Sequence, residues 1–193
     1  RTPVRLLVFG GSFNPLHLGH LAMAEEARVA FGYDAVVLVP AFRPPNKALD
    51  RDPGPAARLE MLAAVASGDP TLLVDDLELR REGVSYTVDT LRVIAARPDC
   101  ESKPGLLIGD DQAAAFGRWR EPDAIANLAD LVIAGRDEDA PPRFPWPHRR
   151  LGNALFPVSS SLVRDRIASG GAWRRLVPDA VRSLIEERGW YRA

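Results

Sequence analysis

Short apolar runs alternating with segments of helical period constrain this chain more than any other feature of its sequence. Val4–Phe9, Ala35–Val39, Leu72–Val74, Gly105–Ile108, Leu131–Ala134 and Ala154–Val158 read as strands. Leu18–Phe31, Pro55–Ser67, Val88–Ala96, Pro122–Ala129, Ser161–Ser169 and Pro178–Arg188 read as helices. Runs without polar alternation belong to strands covered on both faces, so the pattern calls for an α/β fold with a mostly parallel sheet. Right-handed crossovers then make the sheet doubly wound. Two proline-dense stretches, 40–55 and 141–147, are too short to be interdomain linkers and read as surface loops, which leaves one domain spanning 1–193. Ligands of such folds bind beyond the carboxyl ends of the strands, so the loops after strands carry the chemistry.

Composition excludes several classes of function. With 25 Lys+Arg against 26 Asp+Glu the net charge is −1, which gives no broad field for sequence-independent nucleic-acid binding. No apolar run approaches the roughly 18–20 residues needed to cross a bilayer. Strand-like sequence begins at once, leaving no room for a signal peptide, and the lone Cys100 fits a reducing compartment, so a cytoplasmic location is expected. Cys100 has no base beside it and reads as inert. The basic residues are 23 Arg and only Lys47 and Lys103, so a single arginine is weak evidence of a site and a loop lysine is stronger.

The first strand runs into Gly10-Gly11-Ser12-Phe13-Asn14-Pro15-Leu16-His17-Leu18-Gly19-His20 and opens directly into a helix. Glycines allow close backbone approach to a ligand, and a helix start offers N–H groups to an anion. The stretch is neither the dinucleotide fingerprint nor a Walker loop. His17 and His20 fall on one face of the first turn, with no Cys, Asp or Glu nearby to complete a metal set, and suit a phosphate chain better. Near the other end, Ser159-Ser160-Ser161-Leu162-Val163-Arg164 is a hydroxyl-rich helix start with a guanidinium one turn in, again suited to phosphates.

These two stretches resemble the H-x-G-H and I-S-S-T-x-I-R motifs of the nucleotidylyltransferase superfamily, which has a Rossmann-like fold. Three others are similar to nicotinate-nucleotide adenylyltransferases in particular: the proline loop Pro40–Lys47, with Asn46 where the family has His; Ser85-Tyr86-Thr87-Val88-Asp89-Thr90-Leu91; and Gly109-Asp110-Asp111 followed by Trp119. The resemblance runs from Phe9 to Val177-Pro178. It implies transfer of the adenylyl group of ATP to nicotinate mononucleotide, giving deamido-NAD and pyrophosphate. His17, nearest the α-phosphate, and His20 would hold the ATP phosphates, while Lys47, Ser160 and Arg164 neutralise the leaving pyrophosphate, with Ser159 beside them. Gly10, Gly11, Ser12, Phe13, Gly109 and Asp111 would complete the ATP site, Asp111 at the ribose. Trp119 would stack on the pyridine ring, with Tyr86 and Thr87 opposite.

Mg²⁺ is expected on substrate oxygens rather than on protein ligands. Arg58 and Arg136, where the family has arginines, read as packing or salt-bridge residues, and Asp110 as more of a surface residue than Asp111. The alternatives are a nicotinamide-mononucleotide or pantetheine-phosphate adenylyltransferase, or a catalytically silent nucleotide sensor; an oligomer is possible. Preference for acid over amide is expected to rest on backbone N–H groups at the start of the Val88–Ala96 helix, since no Lys or Arg lies in that stretch, with Asp89 turned away.

Overall fold

The computed structural model describes residues 2, 4–45, 47–135 and 143–192. Asn46 and Arg136 therefore lie outside the described residues. Six strands, β1 (Leu6–Gly11), β2 (Ala35–Pro40), β3 (Leu72–Val74), β4 (Gly105–Gly109), β5 (Asp130–Ala134) and β6 (His148–Leu151), form one parallel sheet in the order β3-β2-β1-β4-β5-β6. The order reverses between β1 and β4, which opens a crevice above their carboxyl ends.

Helices cover both faces because the central strands are apolar on both. Leu7, Phe9, Val36, Leu38, Leu107 and Val132 face α1 (Leu18–Phe31), α2 (Pro55–Ala66), α7 (Ser160–Ser169) and α8 (Asp179–Arg188). Leu6, Val8, Val37, Val39, Ile108 and Ile133 face α3 (Leu77–Arg81), α4 (Thr87–Ala95), α5 (Asp110–Ala115) and α6 (Pro122–Leu128). Each large aliphatic side chain fully buried this way contributes about 1.5–3 kcal/mol of transfer free energy.

Three differences from the sequence reading have physical causes. The first strand does not stop at Phe9: β1 continues through Gly10 and Gly11, paired with Val39 and Pro40, and the chain turns only after Ser12. The last strand is not Ala154–Val158, which has no regular structure and leaves Leu155 and Phe156 exposed. It is instead His148–Leu151, an edge strand paired on one side only, and an edge needs no apolar run. Its polar side chains are used: Arg149 donates to the Tyr33 hydroxyl at 3.1 Å and Arg150 to Asp110 at 2.7 Å. Third, α3 and α5 are one- to two-turn helices, too short to show a period.

Candidate active site

The loop after β1 is shaped by what grips it. Phe13 adopts φ 49°, a left-handed conformation that non-glycine residues take only when their surroundings impose it. Its buried ring packs edge-on against Phe9 and His20, with centroids 5.5 and 5.2 Å away. The Asn14–Pro15 peptide is cis. Three carbonyls of the loop accept side-chain donors: Ser12 from Arg58 at 2.9 Å, Asn14 from Arg164 at 2.8 Å, and Pro15 from the Ser160 hydroxyl at 2.8 Å. Asn14 itself donates to the Asp50 carbonyl at 2.9 Å and accepts from the Tyr191 hydroxyl at 2.9 Å. Arg58, fully buried, also donates to Ala41 O and pairs with Asp52 at 3.0 Å, so it ties together the loops after β1 and β2.

The histidine pair closes the start of α1. His17 is the N-cap, and its Nδ1 accepts from the His20 N–H at 3.3 Å; the His20 Nδ1 accepts from the His17 N–H at 3.1 Å. The rings stack with centroids 3.7 Å apart. Acceptance at Nδ1 puts the proton of each neutral imidazole on Nε2, so the outward nitrogen is a donor. Gly19 permits the stack: a Cβ there would come within 3.0 Å of the His17 ring and of Val158 Cγ1. His20 lines the cavity described below, whereas His17 is 1% exposed and lies behind it.

Across the switch point, β4 ends at Gly109, whose N–H donates to Gln112 Oε1 at 3.1 Å as α5 begins. The reading of the two aspartates is reversed: Asp110 is largely covered and bonded to Arg150, while Asp111 is the exposed one and lines the cavity. Trp119 is half-buried against Phe116, with ring centroids 5.2 Å apart, and keeps its free side toward the cavity. Tyr86 caps α4 with no side-chain bond, and Asp89 lies near Arg92 at 3.6 Å. Beneath this stretch sits buried Glu78, which accepts from the Thr90 hydroxyl at 2.6 Å. Burial raises its carboxyl above the ordinary range, against the lowering pull of the Thr90 and Ser85 hydroxyls and of Arg81.

One cavity of about 760 Å³ joins these parts, within the range of small-molecule sites. Every residue singled out above for ATP or the mononucleotide lines it, including Lys47, Ser159 and Arg164; only His17 does not. Sequence reasoning missed Asn14, Asp50, Glu78, Arg118, Arg120 and Tyr191. Asn14 lay inside the first motif, and its turn-prone amide was the available signal; Tyr191 offered none. Arg118 and Arg120 flank Trp119, yet with 23 arginines in the chain they carried no signal. Arg120 stands over the Tyr86 ring, 4.8 Å from its centroid, so a cation does reach the stretch expected to lack one. Cys100 is away from the cavity, and burial followed by the Asp99 charge pushes its thiol up, which keeps it unreactive. Among the described residues no group of three or more His, Cys, Asp or Glu is gathered to hold a metal ion, and no helix is long and apolar enough to cross a membrane.

A doubly wound sheet with a donor-rich helix start on one side of its switch point and an aromatic slot on the other defines a nucleotidyltransferase of the Rossmann-like class. Residues 8–166 match the cytidylyltransferase-like family. Among relatives, the probable nicotinate-nucleotide adenylyltransferase of Salinibacter ruber is 38% identical over 190 residues, covering 96% of each chain. That of Geobacillus kaustophilus is 37% identical, covering 96% of this chain and 85% of its own. A Plasmodium falciparum nicotinic acid mononucleotide adenylyltransferase complexed with NaAD matches with a TM-score of 0.79 over 97% of both chains, at 16% identity, a likeness of fold. The chain belongs to the cytidylyltransferase-like family, among its nicotinate-nucleotide adenylyltransferases.

Proposed function

We propose that the chain transfers the adenylyl group of ATP to nicotinate mononucleotide, releasing pyrophosphate and forming deamido-NAD. The observation that carries this reading is the single cavity. It joins a phosphate-type helix start to an aromatic slot, in a chain whose relatives carry that name over nearly their full length. A phosphate oxygen of the mononucleotide attacks the α-phosphorus and pyrophosphate departs in line. The attacking group is already an anion at neutral pH, so no general base is needed, and catalysis is positioning and neutralisation of charge.

His20 presents its Nε2–H to the ATP phosphates, and His17 acts through it by fixing ring and helix start. The backbone of Gly10, Gly11, Ser12 and Phe13 forms the floor where the two nucleotides meet. Lys47 and Arg164 offset the charge of the leaving pyrophosphate, with the Ser159–Ser160 turn beside them. Arg164 and Ser160 also hold the loop, a role supported by their bonds to Asn14 and Pro15. Gly109 leaves room for the nucleoside, Asp111 meets its ribose, and Trp119 stacks on the pyridine ring against Tyr86 and Thr87. Mg²⁺ would travel with ATP on its phosphate oxygens, where it would spread the triphosphate charge.

The direct test is pyrophosphate release from ATP and Mg²⁺ with nicotinate mononucleotide, nicotinamide mononucleotide or phosphopantetheine as acceptor. Turnover with the first supports the reading. Turnover only with another acceptor moves the chain to that activity, and turnover with none makes it a sensor.

A further inference from the structure

Beyond Tyr86 the cavity opens into a shallow annex of about 700 Å³ lined by Arg43, Lys47, Arg118 and Arg120 and, among the described residues, by no carboxylate. The chain as a whole has a net charge of −1, so this concentration of positive charge is local. Elsewhere the arginines are mostly engaged, as Arg92 is with Glu121, Arg97 with Asp75 and Arg150 with Asp110. Among the described residues, the guanidinium groups of Arg43, Arg118 and Arg120 make no hydrogen bond or ion pair. Lys47, Arg118 and Arg120 line both cavities, and of these it is Arg120 whose guanidinium lies over the face of Tyr86, 4.8 Å from the ring centroid. Its sequence neighbour Glu121 could quench it, but that carboxylate is already bridged by both terminal nitrogens of Arg92, at 3.1 and 2.8 Å.

We infer that Arg120 is a specificity-determining residue for the acceptor, reading the charge of the substituent on the pyridine ring. The inference rests on the acceptor reading above and extends it to a side chain that no motif marks. A guanidinium donates to both oxygens of a carboxylate in a planar fork; a carboxamide offers one acceptor and no charge. Stacking on Tyr86 holds the fork in place before substrate arrives, so less ordering is lost on binding. Arg43, Arg118 and Lys47 add a positive field to the same rim, which favours an acid over an amide before contact is made.

The experiment measures kcat/KM for nicotinate and nicotinamide mononucleotide at fixed ATP and Mg²⁺, for the native chain, Arg120→Ala, Arg120→Lys, and Arg175→Ala as a surface-arginine control. Arg120→Ala is expected to lower the value for the acid on the order of tenfold, through KM, because a hydrogen bond to a charged group is lost. The amide should change by no more than about twofold, Arg120→Lys should retain part of the preference, and Arg175→Ala all of it. Added salt should erode the acid preference of the native chain more steeply than that of Arg120→Ala, which keeps only the rim field of Arg43, Arg118 and Lys47. An unchanged ratio in Arg120→Ala, or an equal fall on both substrates, overturns the role of Arg120 while leaving the acceptor reading intact. A native chain inactive with both mononucleotides overturns the acceptor reading and this inference together.

Discussion

Paired histidines three residues apart invite a metal reading, yet here each ring accepts the other's backbone N–H, which turns both Nε2–H groups into donors. The consequence is testable at His20, the member that lines the cavity. His20→Ala is expected to lower kcat on the order of 10²–10³-fold with a smaller effect on ATP binding, as for loss of one donor to developing charge. Steady-state kinetics with varied ATP decide it; weaker ATP binding at unchanged kcat would make His20 a ground-state contact. Glu78 makes a different prediction. Its carboxyl is held above its ordinary value of 4.5 by burial, so the native state binds more protons than the unfolded state between those two values. The contribution of Glu78 to stability is therefore greatest below the ordinary value and is lost as pH rises through the raised one. Glu78→Gln, which keeps an acceptor for Thr90, should flatten that decline in thermal unfolding followed upward from about pH 4. An equally steep decline in the variant would mean that another group sets it.

The phosphate loop shows how a short element is made rigid by distant partners. Arg58 comes from α2, Ser160 and Arg164 from α7, and Tyr191 from beyond α8, and all bond to residues 12–15. Tyr191→Phe removes a buried hydroxyl and leaves Asn14 Oδ1 without that donor, so about 1–3 kcal/mol of stability should be lost. Activity should fall further than a merely structural change explains, because the loop carbonyl held by Arg164 shifts with Asn14. Chemical denaturation and kcat measured well below the melting transition check both. This element also marks the limit of what was legible. The loop, its histidines, the serine turn and the Ser85–Thr87 stretch were readable because each function sits in adjacent residues. β6 was hidden because an edge strand of His and Arg has no apolar signature, and Ala154–Val158 mimicked one. Tyr191, Arg120 and Glu78 act across turns of the fold, where local pattern says nothing about neighbours. Which of Asp110 and Asp111 is covered depends on Arg150 of β6 pairing with the first of them, a partner that spacing alone does not reveal.

At the scale of the molecule, the switch between β1 and β4 lets one sheet serve two ligands. The strands on the β1 side deliver the glycine-floored loop and Lys47, and those on the β4 side deliver Gly109, Asp111 and Trp119. The two halves of the site are thus rigidly spaced by neighbouring strands in one hydrogen-bonded register. The hydroxyl of Tyr191 on Asn14 adds something the sheet does not. It joins positions near opposite ends of the chain, a closure whose entropic cost is met only when everything between is in place. Native-state hydrogen exchange should accordingly find the Ser12, Phe13 and Asn14 amides opening together with α8 at the free energy of global unfolding, not at that of a surface loop; exchange at loop-like rates would deny the link. Undocking of α8 with Tyr191 would then release Asn14 and the phosphate loop together, so nucleotide capture at this loop reports that α8 is in place.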